Sequence, residues 1–396
     1  LVPYDLDPVL EEELLELQPI AQLLSIEEAE SKTHEYNVRS SHPNAWFEGE
    51  SSVRNDANRV YARDSVQLKI QRIWGSVSGF AQAVDERFID AFTSELEGSV
   101  EGMADLLEFS VLFGTAGDRS KFTGDAYQYT GILPRVFADA PENVVDAGGD
   151  KIALSDLNDA LARVTKWRQV RRDPRFWGMS IRMKQVTDGL QSKVQLPLQT
   201  VELADGKIEM AAYGGAPILE TNYMSPGDSS PTDLSGSAGS GGTLPNDDYD
   251  YRIASVTMFG EAGAAPAAGA TTLAGGEGAV DLAWTGDSTA RLYMIFRQAG
   301  GAGDFQLIDI ISAKTYDAKG NVNGLVETYS DDGSKTAISQ VKPLESGEQQ
   351  IVLTNTNPRR GAALMGKVDD MGRPIENLMS FVETARVADS YDYFIK

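Results

Sequence analysis

The sequence contains no cysteine and only two histidines in 396 residues. Without cysteine there is no disulfide, no thiol nucleophile and no cysteine-based zinc site. His34 and His42 lie in one polar stretch, far from any nucleophile–acid arrangement, so structural or solvated roles are expected of both. No apolar run approaches the roughly 18 residues that a membrane span requires. Bases are scarce: 35 Lys and Arg stand against 59 Asp and Glu, a formal charge of −24. Such a chain lacks the clustered cations of a general nucleic-acid binder and favours solubility and self-repulsion. The HExxH, Walker A, GxSxG and dinucleotide-binding patterns are also missing. No residue set converges on a reaction. The protein is therefore expected not to be an enzyme, with no catalytic, cofactor-binding or metal-binding residue assigned.

What is present begins with length. A chain of this size suggests two or three domains and is long enough to bury a real core. It starts Leu1-Val2-Pro3, without Met or a signal pattern, which implies proteolytic trimming or a longer precursor. The organising stretch is Asp85 to Gly114. Ile89, Phe92, Leu96, Val100, Met103, Leu107 and Val111 recur every three or four residues, which is helical periodicity. Glu95, Glu97, Glu101, Asp105 and Glu108 fill other positions and predict an acidic outer face. Gly98 and Gly102, one turn apart, each cost about 1 kcal/mol against Ala. A close backbone crossing on that face explains them, and so does a bent or interrupted helix.

Residues 1–30 hold nine acids and no base. Asp7-Pro8 followed by Glu11, Glu12 and Glu13 predicts a helix start, and Pro19 a stop or bend. From Lys32 to Ser78 the period changes to two. His34, Tyr36 and Val38, then Val66, Leu68 and Ile70, alternate with polar residues. They predict a long antiparallel hairpin with a polar tip at Asn44–Asp64 and a bulge at Arg72-Ile73-Trp74. A hairpin with no sheet behind it is marginal alone and needs a partner surface. A loop is expected from Gly114 to Gly131, a helix over 150–167, a strand at Phe176–Ser180, a helix at Ile181–Gln191 and a strand at Ala216–Leu219. Strands and helices mix without a βαβ repeat, so the class is α+β.

Residues 225–246 are rich in Ser, Gly, Pro, Thr and Asp and predict a flexible linker. From Asp247 to about Gly333 the pattern is all β, with strands starting at Tyr249, Ala279, Leu292 and Phe305, which suggests a small sandwich. Among polar candidates, Asp317, Asn321 and Asn323 have the wrong spacing for an EF-hand and are expected to form a β-turn. Asp331-Asp332-Gly333 and Asp247-Asp248 are expected to be solvated turn acids. Arg171, Arg172 and Arg175 with Trp167 and Trp177 form a basic–aromatic cluster, expected to be surface ion pairs around a core tryptophan.

These elements in their order resemble one family. The most characteristic pieces are Pro3-Tyr4-Asp5-Leu6-Asp7-Pro8-Val9-Leu10, Tyr127-Gln-Tyr-Thr-Gly-Ile-Leu, Tyr213-Gly-Gly-Ala-Pro-Ile and the closing Leu378-Met-Ser-Phe-Val-Glu-Thr. With the arm, hairpin and long helix they resemble the major capsid protein of tailed bacteriophages, with the Hong Kong 97-type fold, over about 1–224 and 345–396. The resemblance implies an N-terminal arm at 1–32, an E-loop at 33–78, a peripheral domain on the spine helix at 79–143 and an axial domain at 144–224. The chain then returns to the axial and peripheral domains over 345–396. It also implies self-assembly into hexamers and pentamers of an icosahedral head that encloses DNA without reading its sequence. Portal, scaffold or decoration proteins are the expected partners. The expected location is the virion, assembled in the bacterial host cytoplasm, with no membrane. Some members cross-link an E-loop lysine, but the Asn44–Asp64 tip has none, so non-covalent contacts are expected. Pairing of Arg54, Arg59 or Arg63 with helix acids of a neighbouring chain would supply them.

The segment 225–344 resembles an inserted Ig-like or fibronectin III-like domain with rotated strand order. Tyr249–Val256 and Phe259–Ala262 match late strands, Ala279–Trp284, Tyr293–Arg297 and Phe305–Ile308 early and middle ones, and Glu327–Gly333 the strand before the late pair. Trp284 is expected between the sheets with Tyr251, Ile253 and Ile295 around it and Phe305 over one edge. The domain is expected to project from the axial domain on the outer surface. Such a sandwich also fits a secreted glycan-active enzyme or glycan-binding module, the alternative function class.

Overall fold

The computed structural model describes residues 20, 23–28, 32–39, 61–78, 91–117, 121–147, 151–165, 173–193, 199–203, 208–227, 229–264, 267–274, 277–301, 303–345, 347–356, 363–366, 382–387 and 390–395. The expected helix at 7–19, residues 44–60 of the expected Asn44–Asp64 tip and the expected start of the long helix at 85–90 lie outside these residues; the rest of that tip, from Tyr61 to Asp64, is strand rather than tip. What is described is a mixed fold of helices and sheets, as expected for α+β.

The long helix runs unbroken over Ala91–Phe113, about 35 Å at 1.5 Å per residue. Leu96, Val100, Met103, Leu107 and Val111 are buried, as their spacing predicts. Glu95, Glu97 and Glu101 are exposed. The amphipathic pattern ends at Leu107, because every residue from Leu107 to Ala116 is buried. The helix thus passes from the surface into the core, where a helix is enclosed on all sides. Gly98 faces open space, and Gly102 has only Ile73 Cδ1 within reach, 3.7 Å from where a Cβ would stand. Neither makes a close backbone crossing. The tight approach falls just past the helix end: Gly131 N–H donates to Gly114 O at 2.6 Å, and a Cβ on Gly114 would stand 2.5 Å from Tyr129 O.

The hairpin is present. Thr33–Arg39 pairs antiparallel with Tyr61–Gln67, from Thr33 opposite Gln67 to Arg39 opposite Tyr61. These two strands form a sheet by themselves. The second strand stops at Gln67, short of the expected Ile70, which is exposed. No bulge forms at Arg72–Trp74. A new strand, Ile73–Ser78, starts there and joins a three-stranded sheet with Ser390–Ile395 and Val382–Val387. The phase slip marks a change of sheet.

A five-stranded sheet follows the order Val352–Asn355, Arg175–Met179, Ala216–Glu220, Ile208–Tyr213, Gln199–Leu203. Only the Arg175–Met179 and Ala216–Glu220 pair is parallel. The helices Leu154–Val164 and Ile181–Lys193 accompany it. Trp177, Met179, Tyr213, Ala216 and Ile218 pack with Leu157 in its core.

Residues 232–331 form two facing sheets. One has the order Gly260–Glu261, Asp248–Thr257, Leu292–Ala299, Gln306–Ser312, and the other Thr328–Asp331, Glu277–Thr285, Thr232–Ser240. The presumed linker at 225–246 therefore contains a nine-residue strand, Thr232–Ser240, paired along Glu277–Thr285. Trp284 lies between the sheets with Tyr251, Ile253, Tyr293 and Ile295, edge-on to Tyr293 at 5.5 Å.

The larger sheet is buried on both faces. Tyr251, Ile253, Tyr293, Ile295 and Ile308 point into the sandwich. Ala254, Val256, Met294, Phe296, Leu307 and Ile310 point the other way, into one core with Phe109, Leu112, Phe113 and Phe122. Phe305 packs on this second face rather than capping the sandwich, with the Arg252 guanidinium 5.6 Å from its ring centre. The expected projection is corrected by this packing: the sheet is one wall of the central core. Each fully buried Leu, Met or Phe contributes about 1.5–3 kcal/mol, so the junction holds the two parts together as one body.

Candidate assembly surface

Among the described residues, no group of three or more His, Asp or Glu is placed to hold a metal ion. A depression lined by Phe113, Met224, Glu261 and Leu344 is too narrow for a water molecule. His34 is half-buried in the hairpin and stacks on Tyr36 at 6.2 Å; His42 lies outside the described residues. The Asp317 carboxylate is saturated by a turn, accepting from Lys319 N, Asn321 N and Asn321 Nδ2 at 2.8–2.9 Å. Those bonds hold its carboxyl below the ordinary value, Asn321 foremost. Asp247 and Asp332 are exposed acids outside the strands, as expected, whereas Asp248, also exposed, opens the strand Asp248–Thr257 and accepts from Thr272 Oγ1 at 2.5 Å.

Asp331 is not solvated. It is fully buried and accepts from Tyr251 Oη at 2.8 Å, Arg297 Nη1 at 2.7 Å and Gly333 N at 3.1 Å. A buried carboxylate needs this many donors to repay its lost hydration. Burial and the Asp331 charge push the Tyr251 hydroxyl far above its ordinary pKa, so it stays a donor. Of the basic–aromatic cluster, Trp177 is a core residue, its Nε1 donating to Tyr213 O at 3.1 Å. Arg171, Arg172 and Trp167 lie outside the described residues.

Among the described residues the hairpin pairs with no third strand, and it is held at its base. Asp64 accepts from Tyr36 Oη at 2.9 Å and from Arg135 Nη2 at 2.8 Å. Arg135 also pairs with Asp139 at 2.8 Å, one turn along the helix Ile132–Asp139. Lys69 Nζ donates to Ala126 O at 2.8 Å. Arg63 pairs with Glu35 across the hairpin at 3.2 Å, both exposed. Arg54 and Arg59 lie outside the described residues.

On the long helix the five acids divide. Glu95, Glu97 and Glu101 face solvent. Asp105 accepts from the Tyr223 hydroxyl, which burial and this bond raise far above its usual pKa. Glu108 is fully buried and accepts from Ile20 N at 3.1 Å. It is therefore no surface acid. Its position fits the 3.6-residue count of the polar face, but the segment at Ile20 of the same chain covers that face.

Sequence reasoning missed the acids that join elements. Asp309, fully buried, accepts from Thr123 N at 2.6 Å and Tyr329 Oη at 3.2 Å, with Lys335 Nζ at 3.6 Å. Asp125 accepts from Tyr316 Oη at 2.7 Å. Tyr127 packs edge-on to Tyr316 at 4.9 Å. The presumed loop Gly114–Gly131 is thereby moored to the sandwich. The one available signal was Asp309 inside the apolar run Leu307–Ile311, where an acid must find partners.

No protein-family model matches the sequence, and no curated protein matches it. Solved structures do. The holo-SrpI encapsulin complex from Synechococcus elongatus PCC 7942 is similar over 89% of this chain and 89% of its own, with 13% identity and a TM-score of 0.38. Microbacterium phage Oxtober96 is similar over 51% of this chain and 64% of its own, with 14% identity and a TM-score of 0.36. The capsid of the native GTA particle is similar over 50% and 66%, with 17% identity and a TM-score of 0.32. All three are likenesses at low identity and low TM-score.

Proposed function

We propose that this chain is a structural shell protein: the major capsid protein that builds the icosahedral head of a tailed bacteriophage around its DNA. The observation that carries this reading is the hairpin. Its strands pair only with each other among the described residues, yet it is fixed at its base by Asp64, Arg135 and Lys69. A two-stranded hairpin is marginal by itself. Held out from a folded body, it gains stability by lying on a second copy. The exposed Glu95, Glu97 and Glu101 offer the matching charge for the arginines of its second strand and tip.

In this reading 1–32 is the arm, 33–78 the clamp between neighbours, 79–143 the peripheral domain and 144–224 with 345–396 the axial domain and the return. The segment 225–344 is an Ig-like insert with rotated strand order. Supporting this, Asp248–Thr257 pairs with Gly260–Glu261 and Leu292–Ala299, and Glu277–Thr285 with Thr328–Asp331. Those are the neighbour relations of late with middle strands, and of early strands with the one before the late pair.

Negative-stain imaging and sedimentation of the purified protein test the proposal. Closed particles or capsomers are expected, and nuclease-protected DNA in particles from infected cells. A stable monomer or dimer at high concentration overturns it. Particles that form but never hold DNA overturn the phage-head part alone.

A further inference from the structure

Glu261 sits where the inserted segment leaves and rejoins the rest of the chain. It belongs to the two-residue strand Gly260–Glu261 and is 3% exposed. The incoming chain meets its backbone: Gly227 N–H donates to Glu261 O at 3.0 Å. The outgoing chain meets its side chain: Gln350 Nε2 stands 2.6 Å from Oε2. Close by, Ala264 N–H donates to Leu344 O at 2.9 Å. The adjacent Gln349 accepts from the Ser180 hydroxyl, which ties the same segment to the five-stranded sheet's helix. Both ends of the insert are therefore held at one residue, the incoming end by its backbone carbonyl and the outgoing end by its carboxyl.

With Glu261 ionised, the polar contacts do not close. Glu261 Oε1 and Gln350 Oε1 are both buried without a hydrogen-bond partner. These are two acceptors short of a donor, and an unsatisfied buried group costs about 1–3 kcal/mol. Phe113 from the long helix, Met224 and Ser225 from the incoming chain, and Leu344 and Gln349 from the outgoing chain line the site, and none is cationic. No water molecule fits. Glu348 acts on it with a second negative charge. Arg252, on the adjoining strand, is engaged by Glu345.

A proton removes the buried charge and turns one carboxyl oxygen into a donor. A neutral carboxyl is a donor, and an amide presents nearly the same shape with O and N exchanged. With the Gln350 amide turned over, the 2.6 Å contact is an O–H···O bond from Glu261 to Gln350. That distance is ordinary for O–H···O and short for N–H···O.

We propose that Glu261 is a proton-operated clasp on the neck of the insert, closed when neutral and released when ionised. Burial, with Glu348 adding to it and a Leu344 backbone bond opposing, pushes its carboxyl up to about 8 from 4.5. The folded state thus holds the proton more tightly than the unfolded one. The clasp's contribution is complete at low pH and is lost as pH rises through the folded value.

Hydrogen exchange of the full-length protein tests this at the amides of 344–352, the segment that the carboxyl holds. After correction for intrinsic rates, exchange should rise about tenfold between about pH 6 and about pH 9 in the unaltered protein. Glu261→Gln, neutral throughout, should show no such rise. Glu348→Gln should move the transition to lower pH by removing the facing charge. Equal protection at both pH values overturns the proposal, as does an unchanged rise in Glu261→Gln. If Glu261→Gln does not fold, an unshifted transition in Glu348→Gln overturns it.

Discussion

Glu108 and the backbone of Ile20 meet inside the core, carboxylate oxygen to N–H at 3.1 Å, with both residues fully buried. A helix acid here does the work of fastening the N-terminal segment to its own subunit. Glu108→Ala leaves the Ile20 N–H unsatisfied and opens a void. The expected cost is about 2–4 kcal/mol in urea unfolding. Glu108→Gln keeps an acceptor and should cost less than half of that. Limited proteolysis should cut near residue 20 faster in the alanine variant only.

The double-faced sheet predicts that the two-sheet segment cannot be cut away cleanly. Replacing 232–340 by a short Gly/Ser loop removes Ala254, Val256, Met294, Phe296, Leu307 and Ile310 from the core around Phe109 and Phe113. Insoluble or molten protein is the expected product, read by circular dichroism and dye binding. Phe296→Ala alone should cost about 3–5 kcal/mol. A soluble deletion product with a cooperative transition would separate the two parts after all.

Arg297 and Asp331 join the two sheets of the sandwich at 2.7 Å, with Asp331 fully buried. Arg297→Met strands a buried charge and should destabilise by about 3–5 kcal/mol. Adding Asp331→Leu should recover only part of the loss, since it removes the stranded charge but leaves the Tyr251 hydroxyl and the Gly333 N–H without their acceptor. Thermal unfolding of the single and double variants measures the coupling.

Asp64 and Arg135 fix the hairpin on a partly exposed surface. Arg135→Ala should therefore cost the subunit only about 1 kcal/mol. Its effect on assembly should be larger, because the hairpin loses its set angle in every copy. Deleting Val53 to Arg59 should leave a folded subunit that builds no stable particles. Sedimentation and microscopy read both variants; normal particles from the deletion would remove the hairpin as the clamp between copies.

The long helix, the hairpin and the sandwich strands were legible because their periods, 3.6 and 2, survive in the sequence. Thr232–Ser240 was hidden: Gly and Ser favour no strand, and only pairing with Glu277–Thr285 makes one. The placement of the larger sheet did leave a trace. Leu292–Phe296 is an unbroken apolar run and Leu307–Ile311 is interrupted only by Asp309; such runs, unlike an alternating pattern, mark strands covered on both faces. Glu108 could not be told from Glu101, because which side of a helix its neighbours cover is decided by residues far along the chain.

The doubly covered sheet also sets how a load travels. A pull on the outer strands passes through Phe296 and Leu307 to Phe109 and Phe113 with no hinge between. Strain on the exterior is then felt at the helix as stiffness, and the sandwich behaves as a rib built into the wall.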